Sequence, residues 1–139
     1  MLLRPARPIR RRRAAALVEF AVVAPVFFLV ILAIVEVARL FMVGSLMTNA
    51  ARSGCRAGVL PGKSNSDVSA AVTNALNNQG ISGTTTTIQV NGTSQDVSTA
   101  QTGDIVTVTV TVPVGNVSWV PGTGSIPGTI TGTYTLPHE

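Results

Sequence analysis

The chain has little of the chemistry from which most active sites are built. It contains one cysteine, Cys55, and one histidine, His138, among its 139 residues. A single cysteine cannot form an intramolecular disulfide, nor can it supply a cysteine-based zinc site. His138 is penultimate, where we expect a mobile tail, and nothing near it in sequence implies a triad or a metal cluster. We therefore expect no enzyme, no cofactor, no metal and no small-molecule substrate.

Charged residues are also scarce, at 12% of the chain, and they are unevenly placed. Six of the ten basic residues precede position 14, as Arg4, Arg7 and the run from Arg10 to Arg13. Beyond Arg13 the six acidic residues outnumber the four basic ones that remain. A nucleic-acid partner is therefore not expected, because no basic patch is left for the folded part of the chain. We interpret the arginine run as a determinant of membrane topology that also contacts anionic lipid.

What the sequence does have is one long apolar run. Residues 14–35 are apolar throughout except for Glu19. At about 1.5 Å per residue, a helix of this length crosses roughly 30 Å of hydrocarbon, so membrane lipid is an expected partner. Because basic flanking residues stay on the cytoplasmic side, the N-terminus is expected inside and the C-terminal part outside. The alternative is a cleaved secretory signal, but the run exceeds the roughly 7 to 15 residues of a signal core and meets Glu36 without a small-residue cleavage site.

The domain boundaries follow from this run. We expect a basic cytoplasmic leader at 1–13, a transmembrane helix at 14–35, a helix extension at 36–60 and an outer domain at 61–139. The extension is amphipathic and has no stop signal before about Gly58. Its polar face is expected to carry Ser45, Asn49, Arg52 and Arg56, and its apolar face Leu40, Gly44, Met47, Ala51 and Gly54 or Cys55. Close packing is permitted by a row of small residues at Ala50, Gly54 and Gly58. We expect this row to pack on the chain's own sheet, and the alternative is packing on a second subunit.

The sequence of the outer domain predicts one short helix and several strands. An apolar stripe at Val68, Ala71, Val72, Ala75 and Leu76 predicts the helix, which Ser66 and Asp67 are expected to cap. Strict alternation from Ile105 to Val112 predicts a strand with valines inward and threonines outward, and Asn91-Gly92 favours a turn. Further strands are expected near Thr86–Val90 and Thr129–Leu136, and Trp119 is expected to cover an open end of the core. The fold class is α+β, with an antiparallel sheet of three or four strands.

Two residues inside the apolar run need an explanation. Glu19 lies about 8 Å from the boundary at Ala14, so its carboxylate either reaches interfacial water or Arg13, or it pairs with a cation on a neighbouring helix. Pro25 has no N–H to donate to the carbonyl of Ala21, so a bend or a loosened turn is expected. The bend either has no role or eases withdrawal of the helix from the bilayer into an assembly.

These features occur together in an order that resembles the TadE-like family, the minor pseudopilins of the Tad type IV pilus system. A basic run precedes small residues, and an acidic residue, a proline, a Glu-x-x-Arg pair and an Asn-Ala-Ala-Arg stretch follow. The residues that carry the resemblance are Glu19, Phe20, Ala21, Pro25, Glu36, Arg39, Asn49, Ala50, Ala51 and Arg52. Glu36 and Arg39 are expected to form a surface ion pair where the helix leaves the membrane.

The resemblance implies a pilin-like architecture and a non-enzymatic subunit of a Tad-type pilus assembly or secretion apparatus. It implies single-pass insertion in a bacterial inner membrane with a periplasmic C-terminal domain. Its implied partners are other pilus or pseudopilin subunits and a prepilin peptidase that would cut between Ala14 and Ala15. This chain departs from the family there, since glycine usually precedes the cut. The implied packing and processing residues are Glu19, Phe20 and Pro25.

A rival hypothesis needs no pilus. A signal-anchored periplasmic or surface module for binding or adhesion would share the anchor and the threonine-rich strands. Threonine is a common solvent-facing strand residue, so these faces alone do not favour adhesion. The two hypotheses differ at Glu19, whose replacement by alanine affects piliation only in the pilin-like one.

Overall fold

A continuous N-terminal helix and a three-stranded sheet dominate the computed structural model, which describes residues 9–119 and 127–139, with side chains from Ala14 onward. Helix α1 spans Ile9–Gly58 and helix α2 spans Asn65–Asn77. Strand β1 is Thr85–Val90, β2 is Ile105–Pro113 and β3 is Thr129–Pro137. The chain divides into two units between Val35 and Glu36. The predicted α+β class is confirmed; the expected character of residues 1–8 lies outside the described part.

The sheet is antiparallel, with strand order β1-β2-β3 among the described residues. Val108 of β2 lies opposite Ile88 of β1 and Tyr134 of β3. The four valines of β2 at positions 106 to 112 are fully buried, while the threonines between them lie on the other face. Two cross-strand threonine pairs, 107 with 135 and 109 with 133, hydrogen bond there at 3.1 and 3.2 Å. The period of two in the sequence therefore predicts the inner face correctly.

The core of the second unit lies between the valine face of the sheet, the C-terminal part of α1 and helix α2. Helix α2 contributes Val68, Val72 and Leu76, the fully buried part of its predicted stripe. Helix α1 contributes Met47, Ala51 and Cys55 from the predicted apolar face, each with no exposed surface. The predicted polar face is exposed at Ser45, Asn49, Arg52 and Arg56.

The small residues of α1 pack within the chain's own domain. A Cβ added to Gly54 would lie 2.6 Å from a methyl of Val72, and one added to Gly58 would lie 2.8 Å from a methyl of Val68. Ala50 is 1% exposed. These contacts confirm that the small residues of α1 pack closely within the domain. Their packing partners are helix α2 as well as the sheet.

The turn and cap residues are largely where the sequence places them. Asn91 and Gly92 both have positive φ, 50° and 77°, as a tight turn requires, and glycine adopts this conformation without a Cβ penalty. Helix α2 begins earlier than expected, because Ser64 rather than Ser66 is its N-cap residue. The Asp67 carboxylate accepts the Ser64 backbone N–H at 3.0 Å.

The C-terminal tail is held by backbone hydrogen bonds, so the expectation of a mobile tail at His138 is wrong. The backbone N–H of His138 donates to the carbonyl of Asp104 at 2.7 Å, and its carbonyl accepts from Gly103 at 2.9 Å. The N–H of Glu139 donates to the carbonyl of Val59 at 3.2 Å. The chain end thereby ties Val59, the residue that follows α1, to the loop before β2.

Candidate functional site

The first candidate surface is the apolar part of α1. From Ala14 to Val35 its side chains are exposed all round the helix, Ala24 alone being half-buried. Its most apolar stretch has a mean hydropathy of 2.8 and none of it is buried. A helix that is apolar on every side needs either a protein core or lipid around it. Because its apolar window is unburied among the described residues, this helix is a candidate membrane anchor.

Glu19 is isolated on this surface. Its side chain is exposed, and the residues that flank it are Ala15, Val18, Val22 and Val23. Among the described side chains none forms a hydrogen bond or an ion pair with its carboxylate; the expected contact with Arg13 lies outside the described side chains. An ionised carboxylate in such surroundings is stabilised only by a cation or by hydrogen-bond donors. The chain's own described residues offer Glu19 neither.

The residues beside Glu19 present an accessible helix face. Ala14 and Ala15, the expected cleavage position, are exposed, and Phe20 is 68% exposed. Pro25 lies inside α1, and the helix continues through it to Gly58. The structure places Ala15, Glu19 and Phe20 within two turns of one helix, on a surface that nothing in the described chain covers.

The helix-exit pair behaves differently from the prediction. Glu36 and Arg39 do not form the expected ion pair. Instead the Nε of Arg39 donates to the carbonyl of Val117 at 2.5 Å, and its guanidinium lies 3.9 Å from the centre of the Trp119 ring. Glu36 Oε2 accepts the backbone N–H of Trp119 at 3.4 Å. Both side chains therefore hold the segment before residue 120, and Arg39 is satisfied by a backbone carbonyl and an aromatic face instead of by the Glu36 carboxylate.

Trp119 does not cover the core, contrary to expectation. It is 67% exposed and rests on Arg39 outside the sheet. We call the set Glu36, Arg39, Val117 and Trp119 the exit cluster. The helical spacing predicts Glu36 and Arg39 as a pair. It does not indicate that Val117 and Trp119, about 80 positions away along the chain, join them.

An open apolar groove lies beside the exit cluster. It has a volume of about 540 Å³ between α1 and the start of β3. Val37, Leu40, Phe41 and Gly44 line it from the helix, and Ile130 lines it from the strand. Within the described residues β3 pairs only with β2, so its outer strand edge is also open here.

The cysteine of the second unit has a structural role. The Cys55 thiol donates to the carbonyl of Val106 at 3.3 Å, and burial raises the pKa of Cys55 above its ordinary 9.0. A buried thiol of raised pKa is a poor nucleophile. The described residues contain no group of three or more potential metal ligands.

Comparison with known proteins agrees with the position of the first surface. A protein-family model described as "TadE-like protein" matches residues 14–56. No curated protein and no solved structure matches the chain. The matched segment holds Glu19, Pro25, Glu36, Arg39 and Asn49, so the predicted resemblance is confirmed for this part of the chain.

Proposed function

Because residues 14–56 form a TadE-like segment, we propose that this chain is a minor pseudopilin-like subunit of a Tad-type pilus assembly or secretion apparatus. The match over residues 14–56 supports a pilus-associated role in the broad sense. In more detail, the proposed subunit is non-enzymatic and crosses a bacterial inner membrane once. Its basic leader lies in the cytoplasm and residues 36–139 lie in the periplasm.

The observation that carries the proposal is an unpartnered carboxylate on an apolar helix. Glu19 is surrounded by alanine and valine side chains, and no described side chain pairs with it. Burying such a carboxylate without a cation costs several kcal/mol, whereas a partner amine or guanidinium makes burial tolerable. We propose that Glu19 pairs with a cation of a neighbouring pilus subunit, while Phe20 packs against that subunit's helix. Pro25, which lacks an N–H, would soften the helix for withdrawal from the bilayer.

The proposal includes processing of the leader. A membrane prepilin peptidase would cut between Ala14 and Ala15, which removes the arginine run and leaves Glu19 as the fifth residue of the mature chain. Alanine in place of glycine before the cut is still a small residue. N-terminal sequencing of the membrane-bound form is expected to begin at Ala15, and a chain that begins at Met1 would remove the processing step from the proposal.

A matched pair of substitutions tests the role of Glu19. Glu19→Gln removes one charge with little change in shape, and Glu36→Gln makes the same change on the same helix at a residue that binds Trp119 instead. Loss of one partner from a desolvated ion pair costs about 2 to 5 kcal/mol, so piliation should fall by ten-fold or more for Glu19→Gln alone. Both variants should remain in the membrane fraction. Normal piliation by Glu19→Gln would favour the rival, a signal-anchored periplasmic or surface binding or adhesive module without a pilus role.

A further inference from the structure

The exit cluster directly follows the candidate membrane anchor in the chain. Residues 14–35 form a helix of about 33 Å at 1.5 Å per residue. A bilayer has roughly 30 Å of hydrocarbon within roughly 40 to 45 Å that includes the headgroups. A span that fills the hydrocarbon with residues 14–35 therefore places Glu36 to Arg39 within the headgroup layer. Trp119 lies at the same level, because it contacts both Glu36 and Arg39.

The cluster has the chemistry of a membrane interface. Trp119 is 67% exposed although it is the largest apolar side chain of the protein. Tryptophan is enriched at membrane interfaces because its ring is apolar while its indole N–H can reach water or lipid oxygens. Arg39 uses only Nε for hydrogen bonding among the described residues, so its two terminal amino groups remain for a phosphate. The Glu36 carboxylate does not face the surrounding solvent, because its Oε1 is buried and its Oε2 accepts the backbone N–H of Trp119.

The apolar surface of α1 continues past Glu36 on the helix. Val37, Phe41 and Met42 are 52%, 75% and 63% exposed, all within two turns of the exit cluster. In a helix that ended its lipid contact at Val35, these three side chains would face water. A membrane surface that covers them and Trp119 together removes this apolar area from water.

We propose that the exit cluster is a lipid-contact surface, on which the Trp119 ring enters the boundary between headgroups and acyl chains and Arg39 binds a lipid phosphate. The proposal rests on the membrane anchoring in the proposed function, and it adds a second attachment of the outer domain to the same bilayer. The exposed residues at the start of the extension are covered by phospholipid, not by another protein chain.

The test uses the only tryptophan of the protein as its own probe. The full-length chain is placed in phosphatidylcholine–phosphatidylglycerol vesicles, with bromine atoms on the acyl chains close to the headgroups or deep in the bilayer. Emission of Trp119 should be blue-shifted, and the shallow bromines should remove more than half of it, with the deep bromines removing less. Arg39→Gln should weaken the shallow quenching; full quenching in that variant would overturn the role assigned to Arg39.

A relocated tryptophan is the matched control. In Trp119→Phe/Leu60→Trp the probe moves to an exposed site just beyond the end of α1, an end that lies roughly 30 Å along the helix from Glu36. Bromolipids should not quench it there. If Trp119 is quenched by acrylamide and not by bromolipid while the protein floats with the vesicles, the lipid-contact proposal is wrong but the anchor stands. Emission shielded from both quenchers, and dependent on protein density, would mean that a second copy covers the cluster and would overturn the proposal. If the protein does not float with the vesicles, the membrane anchor itself is disproved.

Discussion

Gly132 is the residue at which one methyl group should do the most damage to the outer domain. It lies in β3 opposite Val110, and a Cβ built there would overlap the backbone carbonyl carbon of Met47 and the backbone nitrogen of Thr48 in α1. Both atoms belong to helix backbone, which cannot rotate away as a side chain can. The helix would have to move off the strand to restore the ordinary contact distance of 3.4–4 Å.

The loss in the free energy of unfolding caused by Gly132→Ala follows from this displacement. Overpacking a core costs about 1 to 3 kcal/mol, and separation of α1 from β3 also loosens Met47, which is fully buried, and leaves unfilled volume around it. We predict that the free energy of unfolding falls by about 3 kcal/mol, a large part of the roughly 5 to 15 kcal/mol typical of a domain. Urea titration of the detergent-solubilised full chain, followed by Trp119 emission, measures it.

Gly44→Ala is the control, because it adds the same methyl to the same helix–strand contact. Its Cβ would lie 3.7 Å from a methyl of Ile130, an ordinary contact. Alanine stabilises a helix interior by about 1 kcal/mol relative to glycine, so this variant should unfold at higher urea than the wild type. Equal stability of Gly132→Ala and the wild type, or equal losses in both variants, would refute the close packing of α1 on β3.

Two further predictions concern titratable groups of the outer domain. Cys55 should not react with a maleimide in the folded chain, because it is buried and its pKa is raised, and it should react fully in urea; fast labelling without denaturant would contradict its burial. Backbone N–H donors hold the pKa of Asp67, Asp96 and Asp104 below the ordinary 3.8. A lowered pKa contributes stability that is present above 3.8 and lost as the pH falls through the folded value. The urea midpoint should therefore fall in strong acid, less so in Asp104→Asn; an acid response unchanged by that substitution would contradict this assignment.

The elements of the fold that were predictable are those whose signal is local. The valine–threonine alternation of β2 has a period of two over eight residues, and only one face of a strand with that pattern can be buried. The apolar stripe of α2 and the two faces of α1 beyond Glu36 follow from the helical period in the same way. The Asn91-Gly92 turn was predictable because few other residues adopt positive φ at both positions.

The parts that were not predictable depend on contacts between distant segments. Arg39 and Trp119 are 80 positions apart, and nothing in either local sequence indicates that one stacks on the other. Without that contact, the Glu36–Arg39 ion pair was the reasonable expectation from spacing alone. The anchoring of His138 by Asp104 likewise depends on a pairing that only the folded sheet creates.

The central claim is that the apolar helix meets other helices through the surface around Glu19. Its most direct test is disulfide crosslinking in native membranes from Phe20→Cys in a Cys55→Ala background, which leaves one reactive thiol beside the carboxylate. We predict crosslinks to pilus subunits that carry a cysteine at the matching depth, and their loss when Glu19→Gln is added. Efficient membrane insertion with no crosslink to any pilus subunit, from position 20 or from Phe27→Cys, would contradict the claim.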